Sequence, residues 1–196
     1  NLALIFHEIV HSIERIQRRL QAGADPDDVR QDVDHLRKLL DTFKPLLQRD
    51  PARNAPVDDL VRRAIGIHED RFKRHGVVVS NWTADPQKRH DFSVNVPRGL
   101  VVGAISNVVD NAIYWTRFRR ERDERKDSPA LLVLSFWDEE SGGLIAVCDN
   151  GPGFQMPVTN LGKPFQSTRT EGMGLGLYYC KAVMESIGGS IEVVNA

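Results

Sequence analysis

Four clusters of residues in this chain could do chemistry. The first is His7-Glu8-Ile9-Val10-His11. On a helix, H-E-x-x-H puts two imidazoles on one face, with the glutamate as general base of a zinc site. The same residues also set His7 beside its own acidic neighbour, Glu8. In that arrangement a ring nitrogen could attack an electrophile while the carboxylate accepts its proton. The second cluster is Asn107 and Asn111, four apart. On a helix both amides point along one face. An amide oxygen is a hard neutral ligand suited to magnesium, and an amide nitrogen can donate to phosphate. The third is Cys148-Asp149-Asn150-Gly151-Pro152-Gly153, where an apolar strand runs into an acid and a tight turn. An aspartate there can accept from an exocyclic amine, while glycines let backbone approach a flat ring. The same letters also make an ordinary turn. The fourth is Gly172-Met173-Gly174-Leu175-Gly176-Leu177, which opens a helix whose positive end suits phosphate. It is not the dinucleotide-binding pattern, because no strand leads directly into it.

The elements that must carry these clusters follow from periodicity. Residues 2–20 form an amphipathic helix through Leu2, Ile5, Ile9, Ile13, Ile16 and Leu20. Gly23 ends it, and Asp25-Pro26 starts the next helix as N-cap and first position. Asp27 and Asp28 suit that helix's dipole. Val29, Val33, Leu36, Leu40, Phe43 and Leu47 make a heptad seam. The pair is an antiparallel hairpin that cannot cover both apolar faces alone, so pairing with a second copy predicts a dimeric four-helix bundle. His7 lies off the seam and is expected to reach solvent. Residues 49–56 read as a polar, Pro-bounded linker, dividing the chain into domains 1–50 and 51–196. Beyond it come a helix from Val57 to about Arg74, strands over 76–82 and 92–94, and a long helix from Arg98 to about Arg120. Strands Leu131–Trp137 and Leu144–Cys148 flank a turn at Ser141-Gly142-Gly143, and a last strand spans Ser190–Val194. The fold class is α+β, a helical hairpin followed by an α/β sandwich whose mixed sheet is covered on one face by helices.

A formal net charge of −1 over 196 residues provides no global basic field for nucleic acid. The charges of 117–127 nearly balance and read as a solvated helix end. No apolar run approaches the roughly 20 residues that span a bilayer, and no secretory signal stands at the start, so no membrane contact is expected within this segment. A chain that begins inside an apolar periodic pattern suggests a piece of a longer protein, either cytoplasmic or the cytoplasmic part of a membrane-tethered one. Cys148 and Cys180 both sit in apolar contexts and are expected to be buried, reduced thiols.

Taken in order, the asparagine pair, the D-N-G-P-G turn and the glycine-rich helix start resemble the N, G1 and G2 boxes of the GHKL ATPase superfamily. They are most similar to the ATP-binding domain of sensor histidine kinases, over Val57 to Ala196. Ala112 with Trp115-Thr116 resembles the end of the N box, Pro164-Phe165 the F box, and Ser167-Thr168-Arg169-Thr170-Glu171-Gly172 the approach to G2. The resemblance implies the GHKL (Bergerat) fold with ATP and Mg2+ as cofactors. It implies ATP contacts by Asn107, Asp110, Asn111 and Trp115 from the N box, and by Asp149, Gly151 and Gly153 from the turn. Phe165, Thr168, Arg169, Gly172, Gly174, Gly176 and Leu177 complete that set. Asn111 would hold magnesium, Asp149 would read adenine, and Arg169 occupies the place of a lid lysine.

The resemblance also resolves the first cluster. Phe6-His7-Glu8 matches the phosphoacceptor helix, implying His7 as acceptor, Glu8 as base, a homodimer through the hairpin and a response-regulator receiver domain as partner. Asn107 stands where gyrase-like and MutL-like ATPases carry a glutamate that activates water, which favours transfer over hydrolysis. The alternatives are an ATPase acting as a nucleotide-driven dimerisation switch, and a degenerate kinase that only binds partners. Four departures stand out. Val10 and Ser12 replace the usual Arg and Pro, His11 occupies the position of a phosphatase-supporting Thr or Asn, Tyr114 replaces a phosphate-contacting lysine, and the chain stops one strand early.

Overall fold

The computed structural model describes the chain except residues 1, 48, 49, 89, 124–127, 141, 155, 156, 158, 159, 170, 171 and 196. Thr170 and Glu171 of the G2 approach, Arg49 of the linker and the end of the charged stretch therefore lie outside the described residues. The chain divides into two compact units, residues 1–49 and 50–196.

The first unit is a hairpin of α1 (Leu2–Gln21) and α2 (Pro26–Leu47). Three residues make its turn. Gly23 takes φ +65°, a left-handed conformation that costs glycine little. It closes a Schellman motif in which the Ala24 N–H donates to Arg19 O at 3.0 Å and its own N–H to Leu20 O at 3.2 Å. Asp25 Oδ1 then accepts from the Asp27 N–H at 2.9 Å, and Pro26 takes the first helical position. Arg15 and Arg19 of α1 each lie 3.2 Å from Asp32 of α2. Ile5, Ser12, Leu39 and Phe43 are buried. The seam read from the sequence is split. Phe43 is inside, but Ile13, Leu20, Val33 and Leu40 are exposed, and Leu39, off that seam, is fully buried. One neighbouring helix covers only part of an apolar stripe.

The second unit contains β1 (Arg53–Pro56), α3 (Val57–Gly66), α4 (Glu69–His75), β2 (Val78–Asn81), β3 (Ser93–Val96), α5 (Arg98–Asp123), β4 (Ala130–Asp138), β5 (Gly142–Asp149) and α6 (Gly176–Ser186). β1 and β3 pair antiparallel. β2, β4 and β5 form a mixed sheet, β2 parallel and β5 antiparallel to β4. Leu131 and Val133 of β4 share one core with Leu60 and Val61 of α3 and Val109 and Ile113 of α5.

Four expectations change. Residues 53–56 of the supposed linker are a strand, because Ala55 is fully buried and pairs with Val94. Asp50 also fastens to this unit, its Oδ2 accepting from the Gly99 N–H at 2.8 Å near the start of α5. The helix after Val57 is broken in two around buried His68, whose carbonyl accepts the first N–H groups of α4 from Arg71 and Phe72, each at 2.9 Å. Residues 190–195 form no ladder; instead the Asn195 side chain pairs with the backbone of Phe154. Cys148 is exposed, because it lies opposite Leu132, on the sheet face away from Leu131 and Val133. Cys180 is buried as expected.

Candidate functional site

Helix α5 carries the first half of the site. Asn107, Asn111, Trp115 and Arg119 follow at intervals of four and line one stripe of the helix. Asn107 Nδ2 donates to Gly103 O at 2.9 Å. Its Oδ1 faces α6, since a Cβ built on Gly176 would lie 3.2 Å from it and 3.8 Å from Asn111 Nδ2. The first residue of α6 thus reaches both amides. The helices can approach this closely because a Cβ on Gly103 would in turn meet the Tyr179 hydroxyl at 2.9 Å. The Cys180 thiol donates to Ala104 O at 3.2 Å, and burial pushes its pKa up to about 12, as for a packing residue rather than a nucleophile.

Asp110 sits between two guanidinium groups. Arg169 Nη1 donates to Asp110 Oδ2 at 2.8 Å and to Asn111 Oδ1 at 3.0 Å. Its guanidinium lies 4.1 Å from the centre of the Tyr114 ring, a cation–π contact at the position where the family's lysine is missing. Arg71 of α4 donates to the other Asp110 oxygen. Burial pushes the Asp110 carboxyl up, but the hydrogen bonds and charges of Arg169 and Arg71 outweigh it and hold the pKa below the usual carboxylate value.

Behind Arg71 stands His68. Its Nε2 lies 3.1 Å from Ser106 O and 2.8 Å from Ser106 Oγ. A carbonyl only accepts, so Nε2 carries the proton and Nδ1 accepts from Arg71 at 3.3 Å. Both nitrogens are thus satisfied in the neutral form. Burial first, and then the charge of Arg71, lower the His68 pKa.

The turn after β5 forms the second half. Asp149 Oδ1 accepts from the Gly151 N–H at 2.8 Å. A Cβ on Gly151 would lie 2.5 Å from that oxygen and 3.2 Å from Trp115 Cβ, so only glycine fits between the acid and the aromatic residue. Although Asp149 is exposed, the chain crowding its carboxyl raises its pKa, against the opposing Gly151 N–H. The Trp115 ring meets Tyr114 and Phe118 edge-on, at 5.0 and 5.4 Å between centroids. Arg119 Nη1 donates to the carbonyls of Asn150 and, at 3.2 Å, Gly151. The Asn150 side chain ties the turn to β4, accepting from Ala130 N at 2.9 Å and donating to Ser128 O at 3.0 Å. Gly153, φ +74°, lies against Asn195.

The segment before α6 holds the remaining predicted residues. Phe165, at φ +62°, and Thr168 are exposed. The Gly172 N–H donates to Arg169 O at 3.1 Å. Gly174 has φ +68°, and a Cβ there would lie 2.5 Å from the backbone nitrogen of Gln166. Leu177 is half-buried in the first turn of α6. The fold therefore gathers Asn107, Asp110, Asn111, Arg169 and Gly176 in one cluster, and Asp149, Gly151 and Trp115 in another along the same helix.

In the other unit His7 is exposed, its ring edge-to-face with His11 at 4.3 Å between centroids, beside half-buried Glu8. His11 pairs with Glu14 at 3.7 Å. Among the described residues no three His, Cys, Asp or Glu side chains are placed to hold a metal ion.

Sequence reasoning missed Arg71, His68, Ser106 and Arg119. Of these only Arg119 left a signal, its four-residue step from Trp115 along the asparagine stripe. The charged stretch it belongs to is not simply solvated, since Arg120 also donates to His75 O at 2.9 Å.

The donors suit magnesium nucleotide chemically. Asn111 and Asp110 offer hard oxygens, now held by Arg169 and Arg71, and Gly176 lets the start of α6 come close to the Asn107 and Asn111 amides.

Residues 97–196 match the family of histidine kinase-, DNA gyrase B- and HSP90-like ATPases. The sensor histidine kinase RegB of Cereibacter sphaeroides is 26% identical over 189 residues, 88% of this chain and 37% of RegB. The chain spans between 8% and 37% of the length of the curated relatives it matches. Among solved structures, the Acinetobacter baumannii histidine kinase AdeS aligns with a TM-score of 0.62 at 20% identity, covering 96% of this chain and 91% of that one. Histidine kinase ThkA, solved with the response regulator protein TrrA, aligns at 0.61 and 21%, covering 99% and 57%. Among the described residues no helix is long and apolar enough to cross a membrane. The chain thus belongs to the histidine kinase-, DNA gyrase B- and HSP90-like ATPase family.

Proposed function

We propose that this chain is the ATP-dependent core of a two-component histidine kinase. ATP binds along α5, with Asp149 accepting from the adenine amine and the triphosphate between the asparagine stripe and the start of α6. Asn111 would hold Mg2+ through Oδ1, and the ion would neutralise charge on the triphosphate. A His7 ring nitrogen attacks the γ-phosphorus. A P–N bond forms, the P–O bond to ADP breaks, and Glu8 takes the ring proton. The phosphoryl group then passes to an aspartate of a response-regulator receiver domain, in keeping with the ThkA complex. The observation that carries this reading is the pairing of Gly176 with Asn107 and Asn111. It brings the start of α6 against a helix face that carries a neutral amide at Asn107, where a hydrolase needs a carboxylate to deprotonate water.

The exposed stripe of Phe6, Val10, Ile13 and Leu20, with Val33 and Leu40, supports a homodimer closing a four-helix bundle. A cytoplasmic site of action, free or tethered to a membrane by other parts of a longer protein, accompanies this reading. The test is incubation with γ-labelled ATP. An acid-labile, base-stable phosphoprotein in the wild type that is absent from His7→Gln is expected. Rapid phosphate release with no phosphoprotein would instead support a nucleotide-driven switch.

A further inference from the structure

We infer that Asp110 and Tyr114 hold Arg169 as an internal competitor of magnesium nucleotide, a contact that ATP can replace and ADP cannot. The inference rests on the nucleotide reading of the site. Three independent contacts define the seat. Arg169 Nη1 bonds Asp110 Oδ2 at 2.8 Å and Asn111 Oδ1 at 3.0 Å, and its guanidinium lies 4.1 Å from the Tyr114 ring centre. The seat is itself braced, because Arg71 holds the second Asp110 oxygen and leans on neutral His68. Arg169 is thus not a loose surface cation.

Its position has two consequences. It occupies the Asn111 oxygen, the atom best suited to a magnesium ion, so either nucleotide must dislodge it. Once dislodged, a guanidinium seeks a new anionic partner, and its fork matches phosphate oxygens. The γ-phosphate of ATP supplies one; ADP lacks that group. The cost of unseating is common to both nucleotides, and the return contact belongs to ATP alone. ADP binding is therefore weakened by a residue that strengthens ATP binding. Tyr114 thus has a role of its own, since an aromatic face can park a cation where a lysine would repel it.

The test is isothermal titration of the intact chain with Mg-ADP and with Mg-AMPPNP, a non-hydrolysable ATP analogue. Arg169→Ala is expected to move the two affinities in opposite directions, tightening ADP and weakening AMPPNP. Asp110→Asn and Tyr114→Leu are each expected to tighten ADP by about two- to fivefold, the range for a half-exposed ion pair or cation–π contact. Removing the Asp110 charge could attract nucleotide without any seat, so the same change is repeated in the Arg169→Ala background, where the seat contribution must vanish. An Asp110→Asn effect of equal size with and without Arg169, or losses of the same sign for both nucleotides in Arg169→Ala, would overturn the seat. A wild-type chain that binds neither nucleotide would overturn the reading of the site itself, and the seat with it.

Discussion

Arg119 reaches from α5 to the carbonyl oxygen of Gly151, 3.2 Å away, so the helix that presents Asn107 and Asn111 also holds the turn that follows Asp149. One rigid element sets the spacing between the two ends of the candidate site.

Removing that clamp should loosen the adenine end without touching the phosphate end. Arg119→Ala is expected to weaken ADP and ATP equally, by roughly tenfold, in line with the loss of charge-assisted hydrogen bonds. Arg119→Lys, whose ammonium keeps the charge and three donors on a differently shaped head, should recover part of the loss. A change in the ratio of the two affinities would place Arg119 at the phosphates instead.

Asp149 should trade stability against binding. Crowding raises its carboxyl pKa, so the folded state binds its proton more tightly than the unfolded chain does. Such a group opposes folding once pH exceeds the unfolded value, and Asp149→Asn relieves that penalty near neutrality. Thermal melts at pH 7 should show the variant at least as stable as wild type. Its ATP affinity should fall by about 1–3 kcal/mol, the cost of an unpaired donor in the adenine pocket. Equal binding of GTP and ATP by the wild type would count against the adenine role.

The pH dependence of folding should carry the mark of His68. Its pKa is lowered, so between the unfolded value of about 6.5 and the folded one the unfolded chain binds more protons. Stability is therefore full above pH 6.5 and falls as pH drops below it. Burial, helped by nearby arginines, lowers the His75 pKa too and adds in the same direction. Urea unfolding at pH 7 and pH 5.5 should show a loss in the wild type that shrinks in His68→Gln. An identical loss in the variant would exclude His68 as the source.

Glu8 should matter for rate and not for nucleotide affinity. Glu8→Ala is expected to slow labelling by 10²–10⁴-fold, the range for a general base. Glu8→Asp should retain part of the activity, and titrated affinities for ADP should match wild type. Unchanged labelling kinetics would remove Glu8 from the reaction.

What was legible in the sequence was local. Gly23, Asp25 and Pro26 specify the hairpin turn within four residues of chain, and the asparagine spacing specifies a helix face. Contacts that join distant segments left almost no trace. Arg71 meets Asp110 across 39 residues and Arg119 meets Asn150 across 31. An arginine in a charged run looks solvated until a carbonyl is folded against it. Residues 53–56 look like a linker because polar residues and prolines surround Ala55, and only pairing with Val94 makes them a strand. The hairpin seam misled differently. Periodicity locates an apolar stripe but does not divide it between an internal neighbour and an external one, so Leu39 and Leu40 could not be told apart.

The crowding at Gly174 bears on timescale. Because a side chain there would collide with the Gln166 backbone, residues 166 and 174 meet in a narrow neck, with Arg169 between them in sequence. The guanidinium stands several rotatable bonds beyond that neck. On the seat proposal its release is a side-chain event, a class of motion that runs faster than the microseconds or longer of a lid opening. On the proposed exchange at Arg169, stopped-flow mixing with nucleotide should show no slow phase that Arg169→Ala removes.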